Sequence, residues 1–151
     1  MIRWSKVIKN GVLATITMEL FYRITNVIFH HGIDVPYANG TVLALTSPFL
    51  IYLAGYFVFL FGGVMFSFFY ERFIRTKNYV SGILYTVLFV WLIVDGLIFE
   101  PIGPAGILML GAGIKAAVIN LIAHVVYGSV LGLTFANGRQ KALTSNFAVN
   151  K

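Results

Sequence analysis

A chain of 151 residues with 59% apolar and 11% charged residues, and a mean hydropathy of +0.87, lies far from soluble domains, which carry about 25% charged residues. It reads as an integral membrane protein with one membrane domain. The absence of cysteine excludes disulfides, thiolate metal sites, iron–sulfur clusters and c-type haem attachment. A net charge of +6 would suggest nucleic acid for a soluble protein. Here the cations sit at the ends of apolar segments, so the partners expected are membrane lipids and other membrane subunits or a second copy, with no nucleic acid.

The first apolar segment follows Arg3, Lys6 and Lys9 and imitates a signal peptide. Glu19 and Arg23 interrupt it and no A-x-A-like site follows, so it reads as an uncleaved signal-anchor helix. A bilayer core of roughly 30 Å asks for about 20 residues of helix. On that measure the spans fall near 7–29, 48–70, 79–99 and 113–135. Ser47-Pro48 offers an N-cap followed by proline at the first helical position of the second span. Gly111-Ala112-Gly113 breaks the long apolar stretch before the fourth, leaving 101–112 as an external segment that could dip into the interface. One tilted helix from 105 is the alternative. Residues 1–136 form the membrane domain and 137–151 a short cytoplasmic tail.

Nine of the eleven cations fall before span one, between spans two and three, or after span four. The 30–47 loop has none. The positive-inside rule then predicts an all-α, up-down-up-down bundle of four transmembrane helices with both termini cytoplasmic, in the plasma (inner) membrane.

The polar residues inside the spans form a pattern. Gly11, Thr15, Glu19 and Arg23 recur every fourth residue in span one, and Gly132, Gly128, His124 and Asn120 do so in span four. Paired antiparallel, each couple sums to 143, as one packing register requires. Small residues would meet small residues (Gly11 with Gly132, Thr15 with Gly128) and Glu19 would meet His124 near mid-bilayer. A Glu19/Arg23/Asn120/His124 cluster can be a protonatable site or polar glue that fixes helix register. The second is the leading reading.

Asp95, Glu100 and Lys115 lie at similar depth near the outer boundary and suggest an ion-pair cluster that anchors the helices. His30, His31 and Asp34 are weak metal candidates. Adjacent histidines point apart and no third strong ligand follows, so no metal is expected and Gly32 is read as a helix C-cap. His124 is the only histidine inside a span, which rules out bis-histidine haem within one chain. No cofactor is expected, although a pigment shared with another subunit stays open. The aromatic run Phe57, Phe59, Phe61, Phe66, Phe68 and Phe69 reads as lipid-facing and packing surface, and Trp4, Tyr70 and Tyr79 as an inner aromatic belt. Walker, GxSxG and HExxH motifs are missing.

Two segments carry a family resemblance: Gly11-Val-Leu-Ala14-Thr15-Ile-Thr-Met18 and His124-Val-Val-Tyr127-Gly128-Ser-Val-Leu-Gly132. In them the chain resembles small four-helix membrane proteins of bacteria and archaea, including the YagU-like group. The likeness covers about a third of the sequence and implies the four-span fold but no activity. Arg75-Thr-Lys-Asn78 is similar to the first half of the Arg-x-x-Asn-x-x-Glu signature of the MAPEG family of eicosanoid and glutathione enzymes. Ser81 stands where that signature has its acid, which puts the implied glutathione role in doubt.

The functional expectation is a structural or accessory subunit of a larger membrane complex or a homo-oligomer, more an assembly component than an enzyme. Its basis is short loops and small-residue surfaces that exceed what four helices need internally. The alternatives are a small proton-linked transporter or channel component, and a membrane enzyme acting on a lipid or quinone with Glu19 and His124 as acid and base.

Overall fold

The computed structural model describes residues 2–41, 43, 45–99 and 106–149, with side chains in the last helix described as far as 136. Every regular element among them is helical. Helix α1 (Trp4–Phe29) ends where His30 turns left-handed at φ 50°, its N–H bonded to the Asn26 carbonyl. The expected cap, Gly32, lies two residues further on, also at positive φ. Asp34 then opens a short helix α2 (Val35–Thr41), its Oδ1 accepting the Tyr37 N–H at 3.0 Å.

Helix α3 (Pro48–Phe73) begins after an extended Ser47, with Pro48 in the first turn, where its missing N–H costs nothing. Helix α4 (Tyr79–Leu84) opens on a reciprocal capping box in which Asn78 and Ser81 each bond the other's backbone N–H. Asn78, the last residue of the Arg75–Asn78 motif, and Ser81 thus serve a helix start. The same helix continues as a π-helical segment, Tyr85–Phe99. A 3₁₀ segment, Ile107–Ala112, precedes α5 (Ile114–Val149), which carries straight on through the segment expected as a tail.

Among the described residues, four helices are long and apolar enough to cross a membrane: Trp4–Phe29, Pro48–Phe73, Tyr79–Ile98 and Ile114–Ala136. Their outward faces are apolar, with Phe57 and Phe61 exposed while Phe59, Phe66, Phe68 and Phe69 pack on the core. Tyr70 departs from the expected lipid belt. It is wholly buried, and its hydroxyl reaches Ser81 Oγ at 2.8 Å.

Glycine sets the close approaches, though between partners other than those the four-residue ladders predict. A Cβ at Gly11 would stand 2.8 Å from Val64 Cα, and one at Gly63 would run into the Thr15 side chain, so the α1 stripe lies on α3. A Cβ at Gly128 would meet the Gly82 carbonyl at 2.6 Å, and one at Gly132 would meet the Asn78 carbonyl at 2.4 Å. The α5 stripe therefore lies on α4. Gly11 and Thr15 do not face Gly132 and Gly128 as expected.

Helices α1 and α5 nevertheless touch along their length. Lys6 Nζ donates to the Phe135 carbonyl at 3.0 Å, the Tyr22 hydroxyl donates to Asn120 Oδ1, and Lys115 Nζ donates to the Phe29 carbonyl at 3.3 Å. These pairs stay within about two residues of the expected register. They use the positions beside the ladder. A helix has several faces, and the small-residue stripes were claimed by the neighbours that approach closest.

Candidate functional site

The expected four-residue polar cluster divides into two groups. On the α1–α3 side, Glu19 Oε1 accepts Arg23 Nε at 2.7 Å and the Tyr56 hydroxyl at 3.1 Å. Arg23 also reaches Asp34 through both terminal nitrogens, at 3.2 and 3.3 Å, and Tyr56 at 3.2 Å. Tyr52 donates to Asp34 Oδ2 at 2.9 Å. One guanidinium thus ties α1, the start of α2 and α3 together. Burial alone would raise the Asp34 carboxyl, but hydrogen bonds from Tyr37, Tyr52 and Arg23, with the Arg23 charge, hold it below the usual carboxylate range.

The other group lies between α5 and the π-helical segment. His124 Nε2 stands 2.7 Å from Asp95 Oδ2, and its Nδ1 stands 2.9 Å from the Asn120 carbonyl. The expected Glu19–His124 pair is replaced by two separate pairs. The expected Asp95–Lys115 contact is replaced too, since Lys115 bonds the Phe29 carbonyl. Glu100, the third member of that cluster, lies outside the described residues. The His124 side chain is 4% exposed and that of Asp95 29%.

The π-helical geometry explains why Asp95 arrives there. A π-helix bonds i to i+5, so residues five apart share a face. Tyr85 and Val90 are buried on one such row and Asp95 follows them. Thr86, Trp91 and Gly96 form the adjacent row, with Thr86 fully buried. At the start of the segment the Thr86 hydroxyl reaches the His124 carbonyl at 2.9 Å as well as Gly82 of its own helix at 3.1 Å. A side chain that enters the ladder in this way loosens it.

The donor inventory of the dyad is restrictive. A carbonyl oxygen only accepts, so Nδ1 carries a proton toward Asn120. Nε2 and Asp95 Oδ2 then share one further proton, held either as imidazolium and carboxylate or as imidazole and carboxylic acid.

His30, His31 and Asp34 do not gather around a point. His31 Nδ1 accepts the Ile33 N–H at 3.0 Å and its Nε2 stands 3.0 Å from Thr25 Oγ1, so both ring nitrogens are engaged within the protein. Burial lowers the His31 imidazole below its usual range; a backbone hydrogen bond at Tyr22 opposes this and the Lys115 charge adds to it. Among the described residues no three His, Asp or Glu side chains form a metal-holding group.

Sequence reasoning missed Tyr22, Tyr52, Tyr56 and Thr86. The signal for the tyrosines was available: a phenol inside a span needs a partner for its hydroxyl, and Tyr52 and Tyr56 lie one helical turn apart. Thr86 carried no comparable signal.

Four apolar helices and an acid–base pair between two of them define a multi-pass, all-helical membrane protein with ionisable groups in its interior. No family model, curated protein or solved structure matches the chain.

Proposed function

We propose that this chain is a proton-carrying component of a small transporter or channel in the plasma (inner) membrane, working with itself or with other membrane subunits. The bundle is up-down-up-down with both ends cytoplasmic, and the resemblance to the YagU-like group belongs to the same proposal. One observation carries the reading: the Asp95–His124 contact at 2.7 Å, with Nδ1 already committed to a carbonyl. Ionisable pairs inside a membrane are expensive and mark ion or proton pathways. The π-helical stretch Tyr85–Phe99 carries the carboxylate to the histidine.

The reading as a purely structural or accessory subunit keeps its short loops and loses one of its supports. The small-residue surfaces that pointed to outside partners are used within the chain, at Gly11, Gly63, Gly82, Gly128 and Gly132. The enzyme reading required Glu19 and His124 to act on one substrate, and each has taken a different partner.

The test is proton flux into liposomes holding the purified protein, read with an internal pH dye under a clamped potential. Native protein is expected to conduct or exchange protons, and His124→Gln and Asp95→Asn to lower the rate at least tenfold while keeping the native melting temperature. Equal rates in native protein, both variants and empty liposomes would overturn the proposal.

A further inference from the structure

Where α1 begins and α3 finishes, four rings form one row. Trp4 stacks on Phe68 with centroids 5.2 Å apart, Phe68 meets Phe69 edge-on at 5.5 Å, and Phe69 stacks on Phe73 at 6.1 Å. The two outer members, Trp4 and Phe73, are more than half exposed. Each end of the row carries an arginine. The Arg72 guanidinium lies over the Phe73 ring, 5.7 Å from its centroid, and Arg3 immediately precedes Trp4. Toward the middle of the membrane the exposed wall is apolar, with Ile8 one turn along α1 from Trp4 and Phe61 two turns back along α3 from Phe68.

The charge at this end is one-sided. Residues 2–9 and 71–78 hold six cations, Arg3, Lys6, Lys9, Arg72, Arg75 and Lys77, and one acid, Glu71. Two of the cations are turned inward. Lys77 lies 3.9 Å from the Glu71 carboxylate and donates to the Glu71 and Ile74 carbonyls, while Lys6 is held by the Phe135 carbonyl and ring. The side chains of Arg3, Lys9, Arg72 and Arg75 are exposed, and no carboxylate among the described residues pairs with them. Guanidinium favours phosphate oxygens, which it can meet with two parallel hydrogen bonds. A zwitterionic lipid brings an ammonium along with its phosphate, and the excess of cations repels it. A soluble anion has no chains to cover Trp4, Ile8 and Phe61. An anionic phospholipid answers both the charge and the apolar wall.

We infer that this face selects anionic phospholipid, its phosphate drawn to the rim that bears Arg3 and Arg72 and its acyl chains laid against Trp4, Ile8 and Phe61. The face involves neither Asp95 nor His124, and the selection does not rest on the proposed proton function.

The experiment uses tryptophan fluorescence of the full chain in phosphatidylcholine bilayers, quenched by dibrominated phosphatidylglycerol or by dibrominated phosphatidylcholine. The chain has two tryptophans. The Trp91 indole N–H is buried without a hydrogen-bond partner among the described residues, so Trp91→Phe loses no hydrogen bond and leaves Trp4 as the reporter. Trp4 is expected to prefer phosphatidylglycerol by at least about fivefold at low salt, the attraction of one surface cation, and less as salt is raised. Arg3→Gln and Arg72→Gln replace exposed side chains that make no hydrogen bond, and together they are expected to abolish the preference. A second reporter sits at the opposite end of α3, where Phe49 is 73% exposed. Phe49→Trp, in a chain with Trp4→Phe and Trp91→Phe, is expected to be quenched equally by the two lipids. No preference at Trp4, a preference that survives loss of both arginines, or the same preference at the Phe49→Trp reporter would overturn the inference. A failed proton-flux experiment would leave it standing.

Discussion

Single glycines decide how closely these helices approach, and the structure separates those that matter from those that do not. A Cβ at Gly82 would lie 2.2 Å from the Gly128 carbonyl and 2.8 Å from Gly132 Cα, all backbone that cannot yield without moving a helix. Gly82→Ala should cost about 1–3 kcal/mol, the usual toll of overpacking. Gly62 has nothing within 4 Å of its Cβ position, so Gly62→Ala should be neutral or stabilising by up to ~1 kcal/mol through helix propensity. Thermal unfolding of both variants in one detergent checks the contrast. Acid should act at two other residues. His31 has a folded-state value below its ordinary one, so the unfolded chain binds more protons and stability falls once the pH drops below about 6.5. Asp34 is also lowered, so its contribution is complete above about 3.8 and is lost as the pH falls through its folded value. A melting-temperature profile should therefore decline in two stages, with the first absent in His31→Gln.

At the scale of elements, the helices were legible because nothing but helix satisfies the backbone of long apolar segments in lipid. Their partners were less so. The four-residue ladders in α1 and α5 named close-packing faces, yet the same small residues suit any neighbour, and α3 and α4 took them. Asp95 was read at α-helical depth beside Lys115, whereas the π-helical stretch from Tyr85 carries it to His124. No residue type announces that change of period. Thr86 holds its start, and Thr86→Val should cost about 0.5–1.5 kcal/mol, as a lost interhelical hydrogen bond does. The variant should also slow proton flux by shifting Asp95. A second hinge is sharper. Gly113 joins the 3₁₀ segment to α5 at φ 97°, ψ 156°, with open space around it. Gly113→Ala therefore meets backbone strain alone, expected at about 1–3 kcal/mol, and the melting temperature should fall accordingly.

For the whole molecule, charge and contact geometry converge on one arrangement. Lys6 reaches the Phe135 carbonyl at one end of the α1–α5 contact and Lys115 reaches the Phe29 carbonyl at the other, so the two helices run opposite ways. The lysines and arginines outside the spans then collect at the end that holds Lys6, the 74–78 turn and the start of the last fifteen residues. The end with α2 has Asp34, engaged by Arg23, and no free run of cations. Positive residues resist translocation, and this is the reason the proposal puts the first end in the cytoplasm. Because the chain has no cysteine, single substitutions report on this without background. Ser5→Cys, Ala38→Cys and Thr76→Cys replace exposed side chains. An impermeant maleimide added to intact cells should label Ala38→Cys alone, and Ser5→Cys and Thr76→Cys only after permeabilisation. Labelling of Ser5→Cys and Thr76→Cys from opposite sides would mean that α1 and α3 together do not return the chain to its starting face. The outer placement of the Arg23–Asp34 group and the direction of any proton flux would then both need reversal or revision.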